Sequence, residues 1–161
     1  MNDAHEFFGP GFRYAVVGAT TDTAKYGYRV MTHLQHAGLP VVGVNPKYTE
    51  IEGIPVFPTL ADVPEKPDVA VFVVPPVVGL ELLDQVKAAG ITKVWFQPGA
   101  ESDDIAAKVA ELGLKGMTDG SCIMVERRRL GNGPALGRRL LVQRRRPGPG
   151  PELPGGVGNG R

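Results

Sequence analysis

The residues of this chain that could take part in chemistry follow short apolar runs, and their types favour binding over bond breaking. Nucleophilic catalysis needs a nucleophile beside a base, and a metal site needs several convergent ligands. No Ser, His and Asp set and no pair of histidines stands at these positions, so we expect a binding site without catalytic or metal-ligating residues. The candidate groups are Gly18-Ala19-Thr20, Val44-Asn45-Pro46-Lys47, Val74-Pro75-Pro76, Gln97-Pro98-Gly99 and Asp119-Gly120-Ser121-Cys122.

The first of these groups opens a loop that suits a phosphate. The segment YAVVGATTDTAKYGYRV has the pattern of an apolar strand, a glycine, a polar loop and the start of a helix. Gly18 allows a close approach of the backbone, the amides of residues 19–21 can surround a phosphate, and Lys25 adds positive charge. Tyr26 could stack on an adenine or cover the sheet. The loop lacks the G-x-G-x-x-G spacing of common dinucleotide sites, so a tight turn without a ligand remains the alternative.

The second group separates the possible cofactors. NAD sites usually place an acidic residue after the second strand, where it holds the ribose hydroxyls. This chain has Asn45-Pro46-Lys47 there, which removes the carboxylate and offers a cation. The pattern favours a phosphorylated ribose, as in coenzyme A or NADP, over NAD. A solvated loop lysine is the competing interpretation of Lys47.

Five apolar runs with helical patterns between them position all of these groups. The runs are short, rich in valine and nearly continuous, which is typical of parallel strands buried on both faces. We therefore predict an α/β fold with a doubly wound, mostly parallel, Rossmann-like sheet of about five strands, with ligands beyond its carboxyl ends. The segment IPVF is a candidate edge strand. The runs cover residues 13–18, 40–45, 68–76, 93–99 and 114–120, and the helical patterns cover 28–37, 77–89 and 101–112.

Charge divides the chain into two unequal parts. Up to Glu126 it carries 9 basic and 16 acidic residues, a net charge of −7, whereas the remainder carries 9 arginines and one acid, a net charge of +8. We predict a folded domain over residues 1–128 and a disordered tail, rich in Gly, Pro and Arg, over 129–161. The tail could contact a polyanion, but it lacks the interleaved aromatic residues that stack on bases, so nucleic acid is not the expected partner.

The remaining sequence features are consistent with a cytoplasmic protein. Cys122 is the only cysteine, which excludes an internal disulfide framework. The first residues lack a secretory pattern, and no apolar stretch approaches the ~18 residues that span a membrane. His33 and His36 have a spacing that can bind a metal, but no third ligand is evident, so we expect them to be exposed or interfacial.

Several motifs taken together resemble the small CoA-binding proteins of bacteria. They are VVGAT, GVNPKY, GIPVFPTLADVPEKPDVAVFVVPP, GITKVWFQPGA and LKGMTDGSCIMVE. The same motifs are similar to the CoA-binding domain of the succinyl-CoA synthetase alpha subunit. The resemblance covers about residues 12–128. It therefore implies that the predicted domain is a CoA-binding, Rossmann-like domain.

The resemblance also implies roles for individual residues. It implies that Gly18, Ala19 and Thr20 contact the CoA phosphates, that Asn45, Pro46 and Lys47 lie near the adenosine, that Val74 and Pro75 line the floor, and that Gln97 and Pro98 belong to a related loop. In the synthetase a second domain carries a phosphorylated histidine, and no foldable segment is expected after residue 128 here. Ligase activity is therefore not carried over. The family's G-P-N-C-like stretch is replaced by TDGSC, which leaves the role of Cys122 open.

Three functional hypotheses follow from these patterns. The first is a protein that binds coenzyme A or acyl-CoA as a carrier, sensor or regulator, without catalysis of its own and with an oligomer or protein partner possible. The second is an NADP-binding oxidoreductase or a redox-sensing protein. The third is an interaction protein that has kept the fold and lost the ligand.

Overall fold

A computed structural model describes residues 3–131 of the chain. Two 3-10 turns, Ala4–Phe7 and Leu60–Asp62, accompany the regular elements. The strands are β1 (Tyr14–Val17), β2 (Val41–Val44), β3 (Glu50–Ile51), β4 (Ile54–Phe57), β5 (Val69–Phe72), β6 (Lys93–Phe96) and β7 (Lys115–Met117), and the helices are α1 (Tyr26–His36), α2 (Pro76–Ala88), α3 (Asp103–Glu111) and α4 (Ile123–Gly131).

The predicted fold class is confirmed, but the sheet has seven strands instead of about five. The strand order is β3-β4-β2-β1-β5-β6-β7, and every pair is parallel except β3 with β4. The five predicted runs form β1, β2, β5, β6 and β7, and the segment IPVF forms β4 near the edge. β3 contains only two residues. A strand this short has no periodicity that a sequence pattern could reveal.

Helices cover both faces of the sheet, which explains the continuous apolar runs. Tyr14 and Val16 of β1 belong to the core beneath α1 and α4, whereas Ala15 and Val17 belong to the core beneath α2 and α3. Successive side chains of a strand point to opposite faces, so a strand between two helical layers needs an apolar residue at every position. All four residues of β1 are accordingly buried.

The amino-terminal segment contributes to the core in a way that the sequence analysis did not identify. The buried Phe7 ring meets Trp95 edge-on, with the ring centroids 5.1 Å apart. The hydroxyl of Tyr14 donates a hydrogen bond to the Phe7 carbonyl over 2.8 Å. Trp95 itself is fully buried. These contacts anchor the 3-10 turn that precedes β1.

One part of the sheet lacks a covering helix. The connection from β4 to β5 holds several prolines, and it forms only the 3-10 turn Leu60–Asp62. Proline removes a helical hydrogen bond and clashes with the preceding turn, so a long helix is disfavoured there. A short turn in place of a covering helix leaves space beside β2 and β4.

Helix α4 crosses the predicted end of the folded domain. The predicted boundary lay after residue 128, but α4 continues to Gly131, and Leu130 packs against the core beneath α1 and α4. Residues 129–131 are therefore helical instead of disordered. The rest of the predicted tail, residues 132–161, lies outside the described residues. Between residues 3 and 131, no helix is long and apolar enough to cross a bilayer.

The contact between α1 and α4 contains a histidine that we expect to make stability depend on pH. Arg127 Nε donates to His33 Nε2 over 2.9 Å, so the imidazole accepts as the neutral form. Burial, followed by the charges of Arg127 and Arg128 and the nearby His36, lowers the pKa of His33 to about 4. The interfacial position expected for His33 is thus confirmed.

A histidine whose pKa is lower in the folded state binds protons first in the unfolded state. The free energy of unfolding should therefore fall as the pH drops from about 6.5, the ordinary histidine pKa, towards the folded value. Urea unfolding across this range measures the effect. A His33→Gln variant can still accept from Arg127 but cannot titrate, so its pH dependence should be shallower. An identical pH dependence for the two proteins would contradict the prediction.

Candidate functional site

Loops from four strands meet at one crevice at the carboxyl edge of the sheet. β1 and β5 lie side by side at the centre of the sheet, and the chain leaves them towards opposite edges. Ligands of open α/β sheets bind at such a switch point. A cavity of about 600 Å³ opens there. It is lined by ten of the thirteen predicted site residues, namely Gly18, Thr20, Lys25, Tyr26, Asn45, Lys47, Val74, Pro75, Gln97 and Pro98.

The other three predicted site residues do not line this cavity. Ala19 is fully buried, because its side chain points into the core beneath α1. Pro46 lines an adjoining cavity instead. Cys122 lies behind the wall, where its sulfur contacts the side chain of Gln97. Direct ligand contact is therefore not expected of the side chains of Ala19 and Cys122.

Backbone crowding accounts for the two glycines of the first loop. Gly18 has φ +102°, and a Cβ there would lie 2.7 Å from the Val73 carbonyl oxygen. A Cβ at Gly27 would collide with the Gly18 carbonyl oxygen. α1 thus starts directly against the end of β1, and both glycines are required by the packing of this junction even without a ligand.

Internal hydrogen bonds stabilise the loop between these two glycines, and no side chain of the loop caps the start of α1. Asp22 N donates to Thr20 Oγ1 over 3.2 Å, and Ala24 N donates to Asp22 Oδ1 over 3.0 Å. Lys25 occupies the cap position of α1, and its side chain makes no capping hydrogen bond. The first N–H groups of a helix have no partner inside the helix, and they favour an anion. The start of α1, with Lys25 beside it, is therefore suited to a phosphate.

Asn45 joins the loop after β1 to the loop after β2. Its Nδ2 donates to the Ala19 carbonyl over 2.8 Å, and its Oδ1 accepts from Lys47 N over 2.9 Å. Its own N–H donates to the Phe57 carbonyl over 2.9 Å. Both ends of the predicted amide ligand are thus engaged by the protein. The exposed side chain of Lys47 faces the cavity without a carboxylate among the lining residues.

Tyr48 is a cavity residue that the sequence analysis missed. Its hydroxyl lies 3.5 Å from the hydroxyls of both Thr20 and Thr21, so it bridges the two loops. Hydrogen bonding to these hydroxyls, helped by the charge of Lys47, lowers the pKa of Tyr48. An aromatic residue just after the Asn-Pro-Lys segment was the available signal. Tyr26 also lines the cavity; this residue is 41% exposed, and the Arg29 guanidinium lies 5.8 Å from the centroid of its ring.

Gln97 connects the cavity wall to α4. Its side chain is fully buried, its Oε1 accepts from Ile123 N over 2.7 Å, and its Nε2 contacts Cys122 Sγ over 3.4 Å. A buried amide with both ends engaged costs little, whereas an orphaned amide would be destabilising. Gln97 therefore caps the first turn of α4 from a distant part of the chain.

A second, more apolar cavity of about 320 Å³ adjoins the first. The two share Gly18, Asn45 and Val74, so they form one continuous depression. The 3-10 turn before β5 and the first turns of α2 enclose it, in the region where the sheet lacks a covering helix. The rest of its lining includes Pro46, Pro58, Leu60, Val78 and Leu82.

The groups in this depression are of the kinds that bind an anion and an apolar ring. Residues 3–131 contain no cluster of three or more His, Cys, Asp or Glu side chains that could hold a metal ion. The residues that line the larger cavity include no His, Cys, Asp or Glu.

Comparisons with known proteins agree with this geometry. Residues 13–128 match the family model described as the CoA binding domain. The ADP-forming acetate–CoA ligase I of Archaeoglobus fulgidus is 43% identical over 61 residues, which are 38% of this chain and 9% of that ligase. The chain covers only 9 to 15% of the length of the curated ligases that it matches.

Solved structures show the same architecture. A conserved hypothetical protein from Pyrococcus furiosus has a TM-score of 0.68 and 43% identity, over 71% of this chain and 98% of that one. An acetyl-coenzyme A synthetase from Candidatus Korarchaeum cryptofilum, solved with phosphate and ADP, has a TM-score of 0.63 and 28% identity, over 74% of this chain and 28% of that one. Because the family match covers most of the chain and includes every loop around the crevice, the chain belongs to the CoA binding domain family.

Proposed function

We propose that the protein binds coenzyme A or acyl-CoA in this depression and acts as a carrier, sensor or regulator without catalysis of its own. The observation that carries the proposal is the pair of cationic positions at the cavity, Lys25 at the start of α1 and Lys47 after β2. Coenzyme A carries phosphate at two separate places, a pyrophosphate and a ribose 3′-phosphate. Two separate anion sites match this distribution of charge.

The two cavities suggest how the ligand divides between them. The pyrophosphate would lie at the open N-terminus of α1, where N–H groups and Lys25 offset its charge. The adenine would enter the adjoining apolar cavity, where Pro46 and Pro58 offer flat apolar surfaces. The 3′-phosphate would then face Lys47, which lines the larger cavity next to Asn45.

An NADP-binding oxidoreductase or a redox-sensing protein is the second candidate function. The ribose 2′-phosphate of NADP would meet the same lysine, so Lys47 by itself supports either ligand. Membership in the CoA binding domain family supports coenzyme A over NADP.

Thermal unfolding distinguishes these ligands. A ligand that binds only the folded state stabilises it by about 2.7 kcal/mol at a hundredfold excess over its Kd. For a domain of this size each kcal/mol raises the Tm by roughly 3 °C. Coenzyme A should therefore raise the Tm by several degrees, and NADP or NAD at equal concentration should raise it less. A larger shift with NADP would favour the second candidate.

We also propose that a protein partner supplies any chemistry performed on the bound thioester. One of the ligases to which the chain is similar is named as a subunit alpha, from Pyrococcus furiosus, at 36% identity over 70 residues. A binding domain without a paired nucleophile and base needs such a partner to make or break the thioester. Purification from its source with and without coenzyme A, followed by mass determination, tests for a partner.

A further inference from the structure

We propose that Asn45 is a positioning residue that holds the two phosphate sites of the depression at a fixed separation. This inference rests on the proposed binding of coenzyme A. The Asn45 side chain makes one hydrogen bond to each of the two loops: Nδ2 donates to the Ala19 carbonyl, and Oδ1 accepts from Lys47 N. It therefore acts on the ligand through the two loops that it connects.

The anchoring of Asn45 makes it suitable for this role. Its backbone N–H is bound to the Phe57 carbonyl of β4, and the neighbouring Gly18 N–H is bound to the Val44 carbonyl of β2. The backbone of Asn45 thus belongs to the rigid edge of the sheet, while its side chain reaches outward in both directions. The loop after β1 can shift only by breaking a 2.8 Å hydrogen bond to the Ala19 carbonyl.

The hydrogen bond between Asn45 and Lys47 N fixes the backbone at the second phosphate site. An Asn oxygen that accepts from the N–H two residues later forms a turn of defined shape. This turn fixes the backbone from which the flexible Lys47 side chain extends, so that binding a phosphate does not also have to order this backbone. The Asn45 amide thereby couples the position of Lys47 to the loop that precedes α1.

The same geometry explains why an amide occupies the place of the usual acid. The Ala19 carbonyl can only accept, so a carboxylate 2.8 Å away would set two acceptors against each other. An acidic residue at position 45 could hold the hydroxyls of an unphosphorylated ribose, but it could not donate the hydrogen bond that connects the two loops. The Asn45 side chain therefore both connects the two loops and favours a phosphorylated ribose.

Two substitutions separate the two hydrogen bonds of Asn45. A serine can accept from the N–H two residues later, so Asn45→Ser keeps the turn before Lys47 and loses the bond to Ala19. Asn45→Ala loses both bonds. The readout is the Kd for coenzyme A and for dephospho-CoA by calorimetry, whose ratio reports the contribution of the 3′-phosphate. Ser102→Ala is the matched control, because it removes the hydrogen bond that caps α3, outside the cavity.

We expect Asn45→Ser to raise the Kd for both ligands by about fivefold, which corresponds to the loss of one hydrogen bond. The ratio of the two Kd values should stay unchanged. Asn45→Ala should weaken the binding of both ligands and also bring the ratio of their Kd values towards one. In a Lys47→Ala background, Asn45→Ala should not change the ratio further. Ser102→Ala should lower the Tm and leave both Kd values unchanged.

A merely structural role for Asn45 predicts a different result. Asn45→Ala would then lower the Tm as Ser102→Ala does, and the ratio of the two Kd values would stay at the wild-type value, which would overturn the proposal. Failure of the wild-type protein to bind either ligand would instead reject the proposed function on which this inference depends. Weaker but equal binding of the two ligands by the wild type would reject the role of Lys47.

Discussion

A Gly27→Ala variant should lose about a hundredfold in affinity for coenzyme A, which is the largest effect that we expect. A methyl group at this position collides with the Gly18 carbonyl oxygen, which belongs to the rigid end of β1. Helix α1 must then move away from the loop, and its first N–H groups move with it. Loss of two charge-assisted hydrogen bonds to the pyrophosphate costs roughly 3 kcal/mol, which corresponds to about a hundredfold in Kd.

The stability of the variant should change less than its affinity. Overpacking a tight contact costs about 1–3 kcal/mol, and the higher helix propensity of alanine returns about 1 kcal/mol. Coenzyme A and dephospho-CoA should be affected equally, since both carry the pyrophosphate. Calorimetric titration together with urea unfolding separates the two effects.

Gly79→Ala is the matched control for this prediction. Gly79 is also a buried helical glycine, but an added Cβ would meet the edge of the Phe96 ring at 3.0 Å, and Gly79 lines neither cavity. The ring can shift by a few tenths of an ångström, so we expect little change in either stability or affinity. Equal loss of affinity in Gly27→Ala and Gly79→Ala would contradict a specific role for the start of α1.

Lys47→Ala should weaken the binding of coenzyme A by about tenfold and leave dephospho-CoA nearly unchanged. A charge-assisted contact contributes on the order of 1.5–3 kcal/mol when desolvated. The Lys47 side chain is exposed at the rim of the cavity, so we expect the lower end of this range, roughly tenfold in Kd. Added salt should reduce the difference further, because an exposed ion pair is screened.

Lys25→Ala provides the comparison for Lys47→Ala. Lys25 lines the same cavity at the start of α1, next to the expected pyrophosphate position. Its removal should therefore weaken coenzyme A and dephospho-CoA to the same extent. If Lys47→Ala also weakened both ligands equally, Lys47 would not recognise the 3′-phosphate, and the argument from the missing acidic residue would fail. A Gly18→Val variant is not informative here, because the added side chain would clash with Val73 before any ligand binds.

The sequence alone was sufficient to predict the fold class and the edge of the sheet at which the candidate residues gather. Nearly continuous valine runs require burial on both faces, and the helical patterns between them provide the covering layers. A doubly wound sheet then brings the carboxyl ends of its strands to one edge, so the residues after each run must meet there. Gly18, Lys47 and Gln97 line one cavity for this reason, although they are widely separated in the chain.

Only the tertiary structure decided what several of these residues contact. Asn45 was a candidate site residue, and its amide connects two loops at the cavity; Cys122 was also a candidate, and its sulfur contacts the Gln97 side chain. The contacts of Asn45 with Ala19 and of Gln97 with Cys122 and Ile123 join residues 25 or 26 positions apart in the chain. Their partners depend on how loops from different strands pack together. Local sequence patterns predict which residues are buried and where each strand ends. They do not predict which hydrogen-bond donor meets which acceptor across the sheet.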